Sequence, residues 1–179
     1  MNDLSDVELM RLAATDNELA FAEIVRRYQD VLLNFFLRAS VSYSDGQDLV
    51  QQTFLRLWRY RRKYQAKDAK FTTFLFLMAR QTSIDFFRVE TRRRALEEEL
   101  ARTGAMEPSA ASASSAGVSG EAIRRAMGRL TPSLRDAVEL VVFQDLPYAE
   151  AAKVLKLPLG TVKSRIFNAL QKLKEFLRS

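Results

Sequence analysis

The run Gly160-Thr161-Val162-Lys163-Ser164-Arg165, followed by Phe167 and Asn168, gathers hydroxyl, amide and cationic side chains. Such groups hydrogen-bond base edges and phosphates. At 100° per residue, Val162, Ile166, Ala169, Leu170, Leu173 and Leu177 form one apolar stripe. Thr161, Ser164, Arg165 and Asn168 fall opposite it, with Lys163 and Phe167 on a flank. Residues 161–174 contain no acid. Pro158 can open this helix, because the first helical position has no use for an N–H. Upstream, the run beginning at Leu146 supplies the first helix of a pair. The pair reads as a helix-turn-helix whose second helix has the length to enter a DNA major groove. The alternative is an ordinary surface helix, which more often mixes both charge signs on its solvated face.

Composition narrows the chemistry. The 179 residues carry a net charge of +6 and a pI near 9.8, which favours a polyanionic partner. There is no Cys, so disulfides and thiolate metal sites are excluded. There is no His, so histidine acid–base chemistry is absent. Neither cofactor nor metal is expected. The longest strongly apolar run, Phe74 to Ala79, is too short to span a bilayer. The acidic start Met1-Asn2-Asp3-Leu4-Ser5-Asp6 lacks a secretory pattern, so a cytoplasmic protein is expected. A nuclease would want clustered carboxylates for metal. The one dense acidic group, Glu97-Glu98-Glu99, lies beside a linker. The chain is therefore expected not to be an enzyme.

The elements that must position these residues are helical. Four prolines occur and no alternating strand pattern stands out. Ser5-x-x-Glu8 and Ser44-x-x-Gln47 read as capping boxes, and Thr131-Pro132 as a cap with a first-turn proline. Residues 103–120 are rich in Gly, Ser and Ala with almost no large apolar side chains, and read as a flexible linker. An all-α protein of two small domains is expected: 1–95, a linker over 96–120, and 121–179 with the helix-turn-helix. Their net charges are +4, −3 and +5. Two basic modules on a tether can hold two sites on one polyanion.

In the first module, Phe21, Ile24, Val25, Tyr28, Leu32, Phe35 and Phe36 recur at helical spacing and read as core. In the next helix Leu49, Val50, Phe54 and Leu57 face inward. Asp48, Gln51, Leu55 and the edge of Trp58 face outward, either as a partner-protein surface or as a lone exposed leucine among polar groups. Residues 59–71 interleave aromatics and cations, including Arg61, Arg62, Lys63 and Tyr64, as single-stranded nucleic acid is often held. A solvated basic loop is the alternative. A strongly apolar helix follows, with Gln81, Asp85, Arg88 and Arg92 as a polar stripe.

Together these segments resemble the extracytoplasmic-function (ECF) sigma factors of bacterial RNA polymerase, in the sigma-70 family. The resemblance covers both modules. Residues 48–58 look like the polymerase-binding helix of region 2, residues 71–88 like its −10-engaging stretch, and residues 129–137 with 148–173 like region 4. It implies a transcription initiation factor. Asp48, Gln51, Gln52, Leu55 and Trp58 would meet core RNA polymerase. Arg61, Arg62, Lys63, Tyr64, Arg80, Gln81, Asp85 and Arg88 would handle the opened −10 strand of promoter DNA. Thr161, Lys163, Ser164, Arg165, Phe167 and Asn168 would read the −35 duplex. An anti-sigma factor is a further partner the resemblance allows, with no membrane insertion. Asn168, Gln52, Gln81 and Pro147 depart from residues frequent in the family. From the residues alone, a free-standing helix-turn-helix regulator that dimerises through its first module stays open.

Overall fold

The computed structural model describes residues 3–67, 70–103 and 118–178. Among the described residues, eight α-helices build two bodies: α1 (Asp6–Ala14), α2 (Glu18–Arg38), α3 (Tyr43–Tyr60) and α4 (Phe71–Arg102), then α5 (Val118–Gly128), α6 (Pro132–Val138), α7 (Tyr148–Leu155) and α8 (Leu159–Arg178). The described residues contain no strand.

Local chemistry sets the helix starts. Ser5 accepts from the Glu8 amide, and the Glu8 carboxylate accepts from the Ser5 amide at 2.7 Å, completing a capping box. Asn17 caps α2 through the Ala20 amide. The cap of α3 is Ser42, two residues before the serine expected from sequence; its hydroxyl accepts from Asp45 N at 3.1 Å. Ser42 wins because the chain must leave the Ser40 turn, at φ 64°, in extended form.

In the first body, Leu9, Met10, Ile24, Leu32, Phe36, Leu49, Leu57, Leu75 and Phe76 are fully enclosed. Gly46 lets α3 lie close on α2, since a Cβ there would stand 3.1 Å from Leu33 Cδ1. Phe21, Val25 and Tyr28 are only partly buried, at the rim rather than the centre. The second body closes around Met127, Leu130, Val138, Leu140, Val154, Val162 and Ile166. Two expected stripe residues, Leu170 and Leu177, stay exposed. Phe176 packs instead, because the short body ends before the helix does and its last turns lean on Arg129, whose guanidinium lies 4.0 Å from that ring.

Two segments differ from the expected linker. α4 runs on to Arg102, so residues 96–102 are helical, and 118–120 open α5. The extension is held by pairs along its own surface: Arg93 with Glu90 and Glu97, and Arg102 with Glu98. Residues 104–117 of the linker lie outside the described residues. A second unexpected feature is a π-helical segment, Glu139–Phe143, continuing α6; Gln144 N bonds Glu139 O at 3.0 Å.

α1 is tied to α2 by charge. Arg27 Nη1 meets Asp6 Oδ1 at 3.0 Å, Tyr28 donates to Asp6 Oδ2 at 2.5 Å, and Glu23 takes both Arg26 and Arg27. Hydrogen bonds first from Arg26 and then from Arg27 hold the Glu23 carboxyl down to about 2 from its ordinary 4.5. A depressed carboxyl pKa adds stability above the ordinary value and loses it as pH falls through that window. Thermal melts from about pH 5 to about pH 2 should therefore fall more steeply for the wild type than for Glu23→Gln. Parallel slopes would assign the acid lability to other carboxylates.

Candidate nucleic-acid interface

The second body presents α8 as its outward helix. Val162, Ile166 and Ala169 anchor it to the core. Pro158 stands one residue before the helix, and its carbonyl accepts from Thr161 N at 3.0 Å and Val162 N at 3.2 Å. Lys163, Ser164, Phe167 and Asn168 point to solvent, and Thr161 is half-buried. Phe167 is 65% exposed, a large apolar surface beside cations and an amide. A ring there can meet a thymine methyl while the polar neighbours reach base edges. Arg165 behaves differently. It is half-buried and lines a crevice with Arg80, Arg135, Asp136 and Glu139.

The turn that sets α7 against α8 is carried by Lys156, at φ 55° and ψ 46°. Its N–H bonds Lys153 O, and Leu157 N bonds Ala152 O. This left-handed cap is the position glycine usually takes.

On the first body, α3 turns Asp48, Gln51, Gln52 and Leu55 outward. Leu55 is 57% exposed and joins Phe21, Val25, Phe54 and Trp58 in a groove of about 460 Å³, with Glu18 and Gln51 at its edge. Phe21 stacks edge-on to Trp58 at 4.9 Å, which fixes the floor. The exposed leucine is thus part of a continuous apolar strip rather than an isolated side chain.

The expected −10 residues divide in two. Gln81, Asp85 and Arg88 share an open face of α4, and Arg56 of α3 braces Asp85 at 2.6 Å. Sequence spacing gave no sign of Arg56, since the pair lies 29 residues apart. The segment after α3 is more committed. Arg61 and Arg62 both bind Asp16, and Arg61 also lies 3.8 Å from the Trp58 ring. Tyr64 packs against Phe71 and Phe74, with its hydroxyl buried and unbonded. Lys63 lies over Tyr60 at 4.8 Å. Asp68 and Ala69 of the expected loop lie outside the described residues.

Arg80 turns away from that open face toward the second body, 3.4 Å from Asp136. Two more contacts cross here. Arg38 clasps Glu139 with two hydrogen bonds of 2.6 and 2.7 Å, and Thr73 donates to Glu150 at 2.6 Å. The Thr73 hydroxyl, then Lys153, holds the Glu150 carboxyl below its usual range. Burial pushes the Asp136 carboxyl up, against the pull of Arg80, Arg135 and Arg165. Among the described residues no group of His, Cys, Asp or Glu could hold a metal ion, and no helix is long and apolar enough to cross a membrane.

Two basic helical bodies, one with an outward helix that carries no acid over residues 161–174 and one with an exposed apolar groove, define a DNA-binding protein built to work with a larger partner. The family model for Sigma-70 region 2 matches residues 24–93, and that for Sigma-70, region 4 matches residues 120–173. The chain is 31% identical over 183 residues to the ECF RNA polymerase sigma factor RpoE of Cereibacter sphaeroides, covering 99% of each. Among solved structures it is similar to CnrH in complex with the cytosolic domain of CnrY, with a TM-score of 0.72, 27% identity and 97% of both chains covered. The sigma factor RpoE of Bartonella quintana, solved with the anti-sigma factor NepR, shares the fold (TM-score 0.68, 24% identity, 88% of this chain and 96% of that one). The chain belongs to the ECF sigma factors of the sigma-70 family, a family of transcription initiation factors.

Lys156→Gly should stabilise the protein by about 1 kcal/mol, because a side chain in the left-handed region carries a cost that glycine avoids. Thermal or denaturant melts measure it. An unchanged midpoint would show that Lys156 recovers that cost elsewhere.

Proposed function

We propose that this chain binds core RNA polymerase through the α3 groove and brings it to promoters by reading −35 duplex with α8 and capturing the opened −10 strand with α4. The observation that carries the reading is the pairing, in one chain, of an exposed apolar groove around Leu55 with a basic helix face around Lys163 that has no acid over residues 161–174. Asp48, Gln51, Gln52, Leu55 and Trp58 form the polymerase contact. Thr161, Lys163, Ser164, Arg165, Phe167 and Asn168 form the −35 contact. Gln81, Asp85 and Arg88, with Arg61, Arg62, Lys63, Tyr64 and Arg80, form the −10 contact. Phosphate contacts position each body and base contacts specify the site. Capture of unstacked bases offsets the loss of duplex stacking and so favours melting.

The protein supplies recognition and no catalytic step, works in the cytoplasm, and can be silenced by an anti-sigma protein that covers the same faces. Either body alone binds weakly. Polymerase fixes their spacing and so makes the pair selective.

Run-off transcription with core polymerase on fragmented genomic DNA should give discrete starts that depend on this protein. Gel shifts that form a tight complex on duplex without polymerase, with no transcript, would favour the free-standing regulator instead. Leu55→Asp should weaken co-elution with core polymerase by more than about tenfold, as expected for a charge placed in an apolar contact, and leave −35 duplex binding unchanged. Lys163→Ala should weaken binding across all sequences and reduce the salt slope by about one, as loss of a phosphate contact does. A selective loss at one base pair would make Lys163 a base reader.

A further inference from the structure

The solvent face of α8 carries few groups able to tell one base pair from another. At about 100° per residue, Ser164, Asn168, Gln171 and Glu175 fall within one narrow sector, away from the buried Val162, Ile166 and Ala169. All four are exposed. Their chemistries differ. Ser164 donates its hydroxyl proton to Thr161 O at 3.0 Å, so toward a base it can only accept. Glu175 is the first acid after Thr161 along the helix, and its charge opposes phosphate. It ends the stretch of this face that can lie against DNA. Between these limits stand two amides, Asn168 and Gln171. Among the described residues no hydrogen bond engages the Asn168 side chain.

Of the two amides, Asn168 lies nearer the end that enters the groove. A recognition helix contacts base edges with its N-terminal residues. Thr161 to Asn168 spans about 10.5 Å of helix, and Thr161 to Gln171 about 15 Å. The major groove is about 12 Å wide, so a helix crossing it keeps Asn168 over base edges and carries Gln171 out toward the backbone. Beside Asn168, Phe167 is 65% exposed and offers apolar surface alone, while Lys163 carries a point charge on a flexible stem. From Thr161 to Asn168, only this amide holds a donor and an acceptor in one plane. Adenine presents the complementary pair, an N6 donor and an N7 acceptor. Guanine presents two acceptors and leaves the amide oxygen facing a lone pair, and thymine and cytosine each satisfy half of the amide.

We infer that Asn168 fixes one base pair of the duplex read by α8 as A·T, with adenine facing the amide. The inference rests on the reading of α8 as the −35 helix and goes past it, to the base identity that a single side chain selects.

The test selects sequences from a pool of randomised duplexes with the full-length chain, once with core polymerase and once without it. The wild type should enrich A·T at one position by about tenfold over G·C, the discrimination of a good two-point contact. Asn168→Ala should flatten that position and leave its neighbours as they were. Asn168→Arg should turn it to guanine, whose O6 and N7 accept both guanidinium donors. Asn168→Gln keeps the amide and should keep adenine. Position 168 is exposed, so the helical circular dichroism should be unchanged in all three variants. A preference that survives Asn168→Ala, or that Gln171→Ala removes instead, overturns the assignment. So does a uniform loss over every sequence, which marks a phosphate contact. Transcription from the enriched duplexes reads the promoter function separately. Duplexes that respond to Asn168 yet never yield a transcript with core polymerase sink the promoter reading and keep the base contact. A chain that directs transcription with no base pair answering to Asn168 loses the base contact alone. No enrichment in either selection overturns both.

Discussion

Glu139 is a carboxylate drawn out of water, with its side chain 5% exposed, and the packing of the two bodies is organised around satisfying it. Arg38 meets both of its oxygens, Gln144 meets one of them again, and the Phe143 ring backs the arginine. Removing one partner from a buried pair ordinarily costs about 3–5 kcal/mol, because the other charge stays dry and unpaired. Both ions would return to water if the bodies came apart. The pair is therefore a modest source of closing energy and a strict judge of geometry: one docking register satisfies the carboxylate, and neighbouring registers strand it.

That constraint explains where the remaining contacts fall. With Glu139 seated on Arg38, α7 is brought over the start of α4 and Glu150 finds Thr73. α6 then carries Asp136 toward Arg80, and Arg135 is aimed at the carbonyls ending α2 and α5, bonding Ala39 O and Gly128 O. α8 keeps Lys163, Ser164, Phe167 and Asn168 in solvent, and its Arg165 lines the crevice. The groove around Leu55 lies on the outer side of α3 and is lined by residues of the first body alone.

Much of this was legible before any coordinates. Short-range rules served well: the Ser5–Glu8 box, the Thr131–Pro132 start, the buried Leu49, Phe54 and Leu57, and the outward Asp48, Gln51 and Leu55 all follow from residue spacing within one or two turns. The misses share a cause. Ser42 displaced Ser44 because of the turn before it, and Leu170 and Leu177 stayed exposed because the second body is shorter than its last helix. Arg56 and Asp85 pair across 29 residues, and Arg38 and Glu139 across 101. No periodicity encodes such pairs, and charge counting hid them, since a basic body reads as uniformly basic until its few acids are seen on one face. Nor did spacing show that Arg61 and Arg62 both meet Asp16, on the turn after α1.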